Sequence, residues 1–164
     1  MTPVPSPLPP GCFCRSAEGA KTAPVTVPVE AARIRAFCAA IGETAPVHTD
    51  EAAARAAGHP ALLAPPTFAQ TLENLAETAL AAQGSAGLLA LLKADFARIL
   101  HGQESYSLHA PIHAGDAITV RHEITGFRYS PRARIDTAHS VIRFTSHRGL
   151  CTKVTRTLIH RLPA

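Results

Sequence analysis

The feature that most constrains the fold is a change in hydrophobic period near residue 98. Before it, apolar residues recur every three to four positions, and residues 67–83 predict a long helix with a wide buried stripe. After it, apolar and polar residues alternate, which predicts four strands over residues 99–110, 117–127, 135–146 and 150–162. This order predicts an α+β fold in which a curved antiparallel sheet wraps one central helix.

Shorter elements are expected before the long helix. Residues 25–29 predict an edge strand flanked by prolines, and helices are expected over residues 30–41 and 50–57, each ended by a glycine. Residues 1–23 carry five of the 14 prolines in their first ten positions and show no hydrophobic period, so we expect a disordered leader. Residues 24–162 then form one domain, whose exposed sheet edges a second copy could cover.

Composition and cysteine spacing exclude several classes of protein. No apolar stretch is long enough to span a membrane, and the proline-rich start lacks the pattern of a secretory signal, so we expect a cytoplasmic protein without a membrane partner. Cys12 and Cys14 have no second cysteine pair to complete a metal site or a disulfide framework. We therefore expect reduced thiols, no metal and no cofactor.

Charge is distributed unevenly along the chain. The net charge is +4, but residues 1–120 hold seven basic and ten acidic residues, whereas residues 121–164 hold nine basic and two acidic ones. The basic segment indicates an anionic partner, such as a phosphorylated small molecule or an acidic carrier protein, although a solvated strand face explains it equally well. Its arginines alternate with apolar residues and aromatics are few, which argues against nucleic acid.

The first candidate site lies in a short loop. Glu43 and His48 follow the glycine that ends the helix expected over residues 30–41, and they are five residues apart across a proline turn. Such a turn can place a carboxylate and an imidazole on opposite sides of one water, as hydration of a carbon–carbon double bond requires. The plainer interpretation is a helix-ending turn, in which Asp50 caps the next helix and His48 is an ordinary surface histidine.

The second candidate site lies where the chain enters the long helix. Pro66, Thr67 and Phe68 stand at its expected start, where free backbone N–H groups can hold an oxyanion such as a thioester enolate. Pro65 and Pro66 have no N–H to offer, so Thr67, Phe68 or a neighbouring strand must supply the donors. The alternative is a proline signal that only starts a helix.

The third candidate site, at the start of the first long strand, comprises His101, Gly102 and Gln103. Gly102 permits a close backbone approach, and His101 and Glu104 are candidates to line a pocket. On a regular strand these two side chains point to opposite faces, so a shared role requires a bulge. A simple turn at the strand entry explains the segment equally well.

Four segments, in this order, resemble those of one family. They are G-E-x-x-P-x-H-x-D at residues 42–50, A-P-P-T-F at 64–68, L-H-G-Q-E at 100–104 and P-I-x-A-G-D at 111–116. The chain resembles the MaoC-like dehydratases, in particular the FAS1-like or MaoC-dehydratase N-terminal domain group, which includes the mycobacterial (3R)-hydroxyacyl-carrier-protein dehydratase subunits. The resemblance covers about residues 24–162.

The resemblance implies the hotdog fold, a long helix wrapped by an antiparallel sheet, usually paired through its sheets. It implies an enzyme that acts on acyl thioesters of coenzyme A or acyl carrier protein, as a (3R)-specific enoyl-thioester hydratase or 3-hydroxyacyl-thioester dehydratase. Neither a metal nor a cofactor is required. We expect Glu43 and His48 to be catalytic, and the substrate-binding candidates are Pro66, Thr67, Phe68, His101, Gly102 and Gln103.

The chain departs from the family pattern at its central motif. Active members carry D-x-N-P-x-H, whereas residues 43–48 read E-T-A-P-V-H, and residues 64–66 replace the usual histidine-glycine at the helix start. One alternative is therefore a non-catalytic, acyl-binding subunit that stabilises a separate catalytic hotdog, giving a heterodimer instead of a homodimer. A weaker alternative is a hotdog thioesterase, which needs a carboxylate on the long helix, where Glu73 and Glu77 are the only acids.

Overall fold

The computed structural model describes residues 8–162, and in these it contains five α-helices and five strands. The helices are α1 (Ala31–Ile41), α2 (Pro46–Thr49), α3 (Glu51–Ala56), α4 (Ala69–Ala82) and α5 (Leu88–Leu91). The strands are β1 (Val25–Pro28), β2 (Ile99–Leu108), β3 (Ala117–Ser130), β4 (Ile135–Ser146) and β5 (Gly149–Arg161). The ends of the predicted long helix and four long strands differ from these by at most three residues, whereas the short helices α2 and α5 were not predicted.

The five strands form one antiparallel sheet in the order β1-β3-β4-β5-β2. Strand β2 therefore returns to the far side of β5, and among the described residues its other edge has no partner strand. The pairing of β2 with β5 shifts register between His101 and Gln103, which is the bulge that a shared role of His101 and Glu104 requires.

One face of the sheet forms the core. Every second residue of β3, β4 and β5 is buried over most of their length, and α4 packs on this face over β1 and β3. The long helix is thus wrapped by the sheet as predicted. The largest buried side chains of this cluster are mostly aliphatic, and they include Ile34, Leu72, Leu80, Ile118 and Phe144.

A buried ion pair joins α4 to the sheet. Glu73, on α4, accepts hydrogen bonds from both terminal nitrogens of Arg156 on β5, at 2.5 and 2.6 Å, and it lies 2.9 Å from Nε2 of His122 on β3. All three side chains are at least nine-tenths buried. Burial by itself would raise the pKa of Glu73, but the hydrogen bonds from His122 and Arg156, with their charges, lower it to about 2.

The segment before β1 is ordered where the structure describes it, so the predicted disordered leader is wrong for residues 11–22. Phe13 is 2% exposed and stacks on His160, with ring centroids 5.0 Å apart. Arg15 forms a bidentate ion pair with the fully buried Asp136, at 2.5 and 2.8 Å, and the backbone N–H of Phe13 donates to the same carboxylate. Buried contacts therefore hold this segment, which we call the N-terminal strap, against β4 and β5. The start of the predicted leader, residues 1–7, lies outside the described residues.

Removing the carboxylate of Glu73 should destabilise the fold more than any exposed charge change. Glu73→Gln removes one of the two carboxylates that bind the buried Arg156 guanidinium and leaves only Glu104, so we expect a loss of about 1.5–3 kcal/mol in the free energy of unfolding. Denaturant titration at pH 7 measures this loss. The control is Glu30→Gln, at an exposed ion pair with Arg33, which should change stability by less than about 0.5 kcal/mol.

The same carboxylate predicts an acid dependence. The pKa of Glu73 lies near 2 in the folded protein, below the ordinary 4.5, so the unfolded chain binds the proton first as the pH falls. Its contribution is complete above pH 4.5 and is lost towards pH 2. Equal stability of wild type and Glu73→Gln at pH 7 would contradict the assignment. If Glu73→Gln does not fold, the double variant Glu73→Leu/Arg156→Met, which removes both charges, should be closer to wild type than Arg156→Met alone.

Candidate functional site

The loop after α1 carries His48 into the protein. Gly42 ends α1 with a φ of 72°, a left-handed conformation that glycine adopts without strain. Pro46 then begins the single turn of α2, which contains His48. His48 is only 9% exposed, so the interpretation as an ordinary surface histidine is wrong. Asp50 caps α3 as expected, with its Oδ1 accepting from the backbone N–H of Ala53 at 2.9 Å.

One hydrogen bond sets the orientation of the His48 ring. Its Nδ1 lies 2.7 Å from the backbone carbonyl oxygen of Leu63. A carbonyl oxygen only accepts, so Nδ1 must carry the hydrogen. In the neutral ring Nε2 is then the unprotonated nitrogen. The arrangement therefore gives His48 a fixed tautomer in which Nε2 is available as a base.

Glu43 lies in the same loop but does not bind His48 directly. Its Oε1 accepts a hydrogen bond from the backbone N–H of Ala45 at 2.8 Å. Among the described hydrogen bonds and ion pairs, none joins the Glu43 carboxylate to the His48 ring. The longer acid in place of the family's aspartate is thus folded back onto its own turn, with Oε2 free of described partners.

The start of α4 has fewer free backbone N–H donors than a helix start normally offers. A 3-10 turn, Pro66–Phe68, precedes the helix, and the N–H of Phe68 donates to the carbonyl of Pro65 at 2.9 Å. The Phe68 side chain is fully buried and packs edge-on against Phe37, so it lies in the core and not in an open pocket. Of the predicted donors, only the N–H of Thr67 is left without a described acceptor.

A cavity of about 320 Å³ lies against Leu63 and the entry to α4, although His48, Glu43 and Thr67 are not among the residues that line it. It is bounded by two segments, residues 63–66 and residues 108–112. Leu63, whose carbonyl holds the His48 ring, and Pro66, at the entry to α4, both line it, and most of its wall is apolar. The structure therefore places the His48 support and the helix start on one apolar cavity.

The third predicted segment lies elsewhere. His101 lines a separate cavity of about 470 Å³ together with Glu73 and Arg156, and the bulge brings its Nδ1 to 3.7 Å from Glu104. A Cβ on Gly102 would lie 2.8 Å from the Ile159 side chain, so this glycine serves close packing. Gln103 lines a small polar cavity of about 160 Å³ on other residues. These three residues are not brought together with Glu43 and His48.

The acids of α4 are already engaged. Glu73 is bound to Arg156 and His122, while Glu77 accepts from the backbone N–H of Leu88 at 3.1 Å and lies 3.4 Å from Nδ1 of His122. A thioesterase base needs a carboxylate that is free to activate water, so this arrangement argues against the thioesterase alternative.

The described part of the chain has neither a metal-binding cluster nor a membrane-spanning helix. No group of three or more His, Cys, Asp or Glu side chains in residues 8–162 is placed to hold a metal ion. In the same range, no helix has the length and apolar character needed to cross a membrane.

Sequence reasoning missed the residues that support His48. The Leu63 carbonyl is a backbone group, which no motif marks. His59 and His113 lie 3.1 Å apart next to Leu63, although 54 positions separate them in the sequence. No spacing rule pairs residues so far apart, and neither histidine belongs to a candidate site predicted from the sequence.

Comparison with known proteins identifies the family. Residues 16–133 match the family described as "FAS1-like, dehydratase domain region". A UPF0336 protein of Parafrankia sp. is 34% identical over 139 residues, covering 79% of this chain and 86% of the relative. A UPF0336 protein of Saccharopolyspora erythraea is 43% identical over 91 residues, which cover 55% of this chain and 54% of the relative, so that match spans about half of each.

Solved structures of low sequence identity share the fold. The HadBC (3R-hydroxyacyl-ACP dehydratase) complex of Mycobacterium tuberculosis is 23% identical, with a TM-score of 0.68 over 87% of this chain and 96% of that one. The ChsH1-ChsH2 complex of the same organism is 21% identical, with a TM-score of 0.72 over 92% of both chains. An (R)-hydratase from A. caviae is 22% identical, with a TM-score of 0.63 over 89% of this chain and 96% of that one.

These matches confirm the predicted hotdog fold and the predicted family. The family match covers well over half of the chain, and a relative above 30% identity covers more than two thirds of it. The chain therefore belongs to the family described as the FAS1-like dehydratase domain region.

Proposed function

We propose that this chain is a (3R)-specific enoyl-thioester hydratase or 3-hydroxyacyl-thioester dehydratase, with His48 as its acid–base group. The observation that carries the proposal is the buried His48 ring, whose Nδ1 is held by Leu63 beside an apolar cavity. A base with a fixed tautomer next to an apolar cavity suits proton transfer at an acyl chain. The family is described as a dehydratase domain region, and its structural neighbours include a dehydratase complex and a hydratase.

The reaction can be assigned to this chain's own groups. In hydration, Nε2 of His48 takes a proton from water, the oxygen attacks C3 of the enoyl thioester, and the protonated His48 then gives that proton to C2, which restores the neutral ring. The negative charge that develops on the thioester oxygen is held by the free N–H of Thr67 at the start of α4. The free Oε2 of Glu43 is the second group available to hold the water. Dehydration is the same path reversed, and no metal or cofactor enters it.

Loss of the His48 imidazole should abolish hydration without unfolding the chain. With crotonyl-coenzyme A and longer trans-2-enoyl-coenzyme A esters, we expect His48→Ala to lower kcat by about 10²–10⁴-fold, the contribution of a positioned acid–base group. Loss of enoyl-thioester absorbance measures the rate. The matched control is His147→Ala, at an exposed histidine in the β4–β5 turn, which should retain wild-type activity. Equal activity of the two variants would sink the catalytic role of His48.

A second candidate function is a non-catalytic acyl-binding subunit. It is favoured by the Glu43 carboxylate, which is folded onto Ala45 and is not directed at His48. A folded wild-type chain that is inactive with every chain length would support this alternative, and restoration of activity by a second, catalytic hotdog would establish it.

We propose that a second hotdog subunit binds along the free edge of β2. This edge offers unpaired backbone groups, and beside it Phe96, Leu100 and Leu108 are 81%, 49% and 57% exposed. Exposed edge strands with large apolar side chains are normally covered in native proteins. The partner is either another copy of this chain or a related hotdog.

Charge at this edge should break the assembly. We expect the purified chain to be a dimer by sedimentation velocity, and Phe96→Ser/Leu100→Lys to be a monomer, because lysine at an edge blocks strand pairing. The control is Ile41→Ser, which removes an exposed apolar side chain, 52% exposed, at the end of α1. A dimer that survives the double substitution would contradict this interface. A wild-type monomer at all concentrations would exclude the homodimer and leave the heterodimer to be tested by adding a catalytic hotdog.

The thioester carrier is proposed to be anionic, either coenzyme A or an acidic carrier protein, in the cytoplasm. Arg121, Arg143 and Lys153 occupy directly paired positions on neighbouring strands, so three positive charges form one row across the sheet. Like charges placed opposite each other repel, and among the described residues the only carboxylate bound to this row is Glu123. An anion bound to the row would relieve this repulsion.

Substrate binding should therefore weaken with salt. We expect the KM for an enoyl-coenzyme A ester to rise with ionic strength, and the Arg143→Gln/Lys153→Gln variant to show a smaller rise, because the screened charges are gone. Arg33→Gln on α1 serves as the control. An N-acetylcysteamine thioester, which lacks phosphates, should show no such dependence. A KM that is independent of salt for the coenzyme A ester would rule out the phosphate contact.

A further inference from the structure

The carbonyl that holds His48 is itself held by a neighbouring loop. Residues 62–64 form three backbone hydrogen bonds beyond the one to the His48 ring. The N–H of Leu63 donates to Val47 at 3.2 Å, that of Ala64 to Ile112 at 2.8 Å, and that of Ala114 to Leu62 at 2.9 Å. The direction of the Leu63 carbonyl, and with it the His48 ring, therefore depends on residues 112–114.

His113 lies at the centre of that loop. It forms an isolated antiparallel bridge with Leu63, and it is 6% exposed. Its Nε2 lies 3.1 Å from Nδ1 of His59, a residue in the loop between α3 and Leu62. The two imidazoles thus join the segment that leads into Leu63 to the loop that faces Leu63.

The protons of this pair can be counted. A hydrogen bond between two imidazole nitrogens needs one donor and one acceptor, so at least one of the two rings must be neutral. If both rings are protonated, two N–H groups and two positive charges face each other and the bond is lost. The hydrogen bond between His59 and His113 therefore exists only above the pH at which the second of the two rings becomes protonated.

The surroundings of His113 oppose protonation. Burial lowers its pKa, the carboxylate of Asp116 acts in the opposite direction, and His59 and Arg148 lower it further. Asp116 is already engaged, since its Oδ2 accepts from the backbone N–H of His113 at 2.9 Å and from Arg148 at 2.8 Å. Nδ1 of His113 is buried, 4.0 Å from that oxygen and without a hydrogen bond. His59, Asp116 and Arg148 are the charged or titratable groups that face this ring.

We propose that His113 is a positioning residue for His48, and that its imidazole contact with His59 switches this support off when both rings are protonated. The inference rests on the proposed function only for its effect on catalysis. In the intact pair, residues 112–114 hold the Leu63 carbonyl, and the carbonyl holds Nδ1–H of His48. In the doubly protonated pair, the repelled rings release the loop, and His48 loses the acceptor that fixes its tautomer.

Two substitutions separate positioning from packing. His113→Gln keeps a side chain that can hydrogen-bond His59 but does not titrate, whereas His113→Leu fills a similar space without a hydrogen bond. Because Gln preserves the contact, it should retain kcat within about threefold of wild type at pH 7.5, while Leu should lower kcat about tenfold and leave KM nearly unchanged.

The pH profile supplies the second readout. In wild type, protons on His48 and on the pair both inactivate, so log(kcat/KM) should fall on the acid side with a slope near 2. In His113→Gln two protonated imidazoles can no longer face each other, so the proton that releases the loop is absent and the slope should be near 1. An unchanged slope in His113→Gln would overturn the switch, and wild-type kcat in His113→Leu would overturn the positioning role.

A measurement without substrate keeps this inference separate from the proposed function. The ¹⁵N shifts of the His48 ring should report the Nδ1–H tautomer in wild type and in His113→Gln at pH 7.5, and a tautomer mixture in His113→Leu. Identical His48 shifts in the three proteins would overturn the proposal even if the enzyme were active. An inactive protein that gives the expected shifts would refute only the proposed function.

Stability against pH is a further check that needs no activity. Because the pKa of His113 is lowered in the folded protein, the unfolded chain binds this proton first as the pH falls below about 6.5. Wild type should therefore lose stability in urea between pH 7.5 and 5.5 by more than His113→Gln does. His147→Gln, which leaves the pair intact, should behave as wild type, and the same loss in all three proteins would overturn the switch. If His113→Leu does not fold, His113→Gln carries the test by itself.

Discussion

The buried ion pair between Glu73 and Arg156 is the contact on which the arrangement of helix and sheet depends. The face of α4 that meets the core is mostly aliphatic, and aliphatic surfaces of similar shape can slide past each other by a turn at little cost. A charged pair cannot, because a shift of α4 separates the buried Glu73 carboxylate from the buried Arg156 guanidinium. The pair therefore specifies the register of α4 on the sheet, although desolvation of its two charges is unfavourable.

This register also sets the distance between the cavity at Leu63 and the cavity at Arg156. Leu108, at one end of β2, lines the cavity at Leu63, whereas Ile99 and His101, at the other end, line the cavity at Arg156. Between them on the same strand lie Tyr106 and Glu104, joined at 3.3 Å, and Glu104 accepts from Arg156 at 2.7 Å. Burial and the Glu104 charge raise the pKa of Tyr106 to about 12, so the phenol stays neutral. A polar barrier thus divides the apolar surface along β2.

The sequence predicted the elements far better than the site. The strands were located within three residues because the alternation of apolar and polar residues follows the pleat directly. Helix α2 has four residues, too few to show a helical period, and it escaped prediction although it carries His48. Proline composition wrongly predicted a loose leader over residues 11–22, because the partner of Arg15, Asp136, lies 121 positions away. Hydrogen bonds between distant positions, such as this one and the one between His59 and His113, arise from topology and leave no local pattern.

The N-terminal strap has a consequence for the order in which the chain folds. Phe13 and Arg15 are synthesised early, but the surface that receives them is formed by β4 and β5, which are synthesised last. During synthesis the side chains of Phe13 and Arg15 therefore stay exposed until almost the whole domain has left the ribosome. Strand β2 must also wait for its partner, because among the described residues it pairs only with β5. Distant pairings lose loop-closure entropy before they gain stabilising contacts, so we expect the domain to fold slowly. Docking of the N-terminal strap should be one of the last steps.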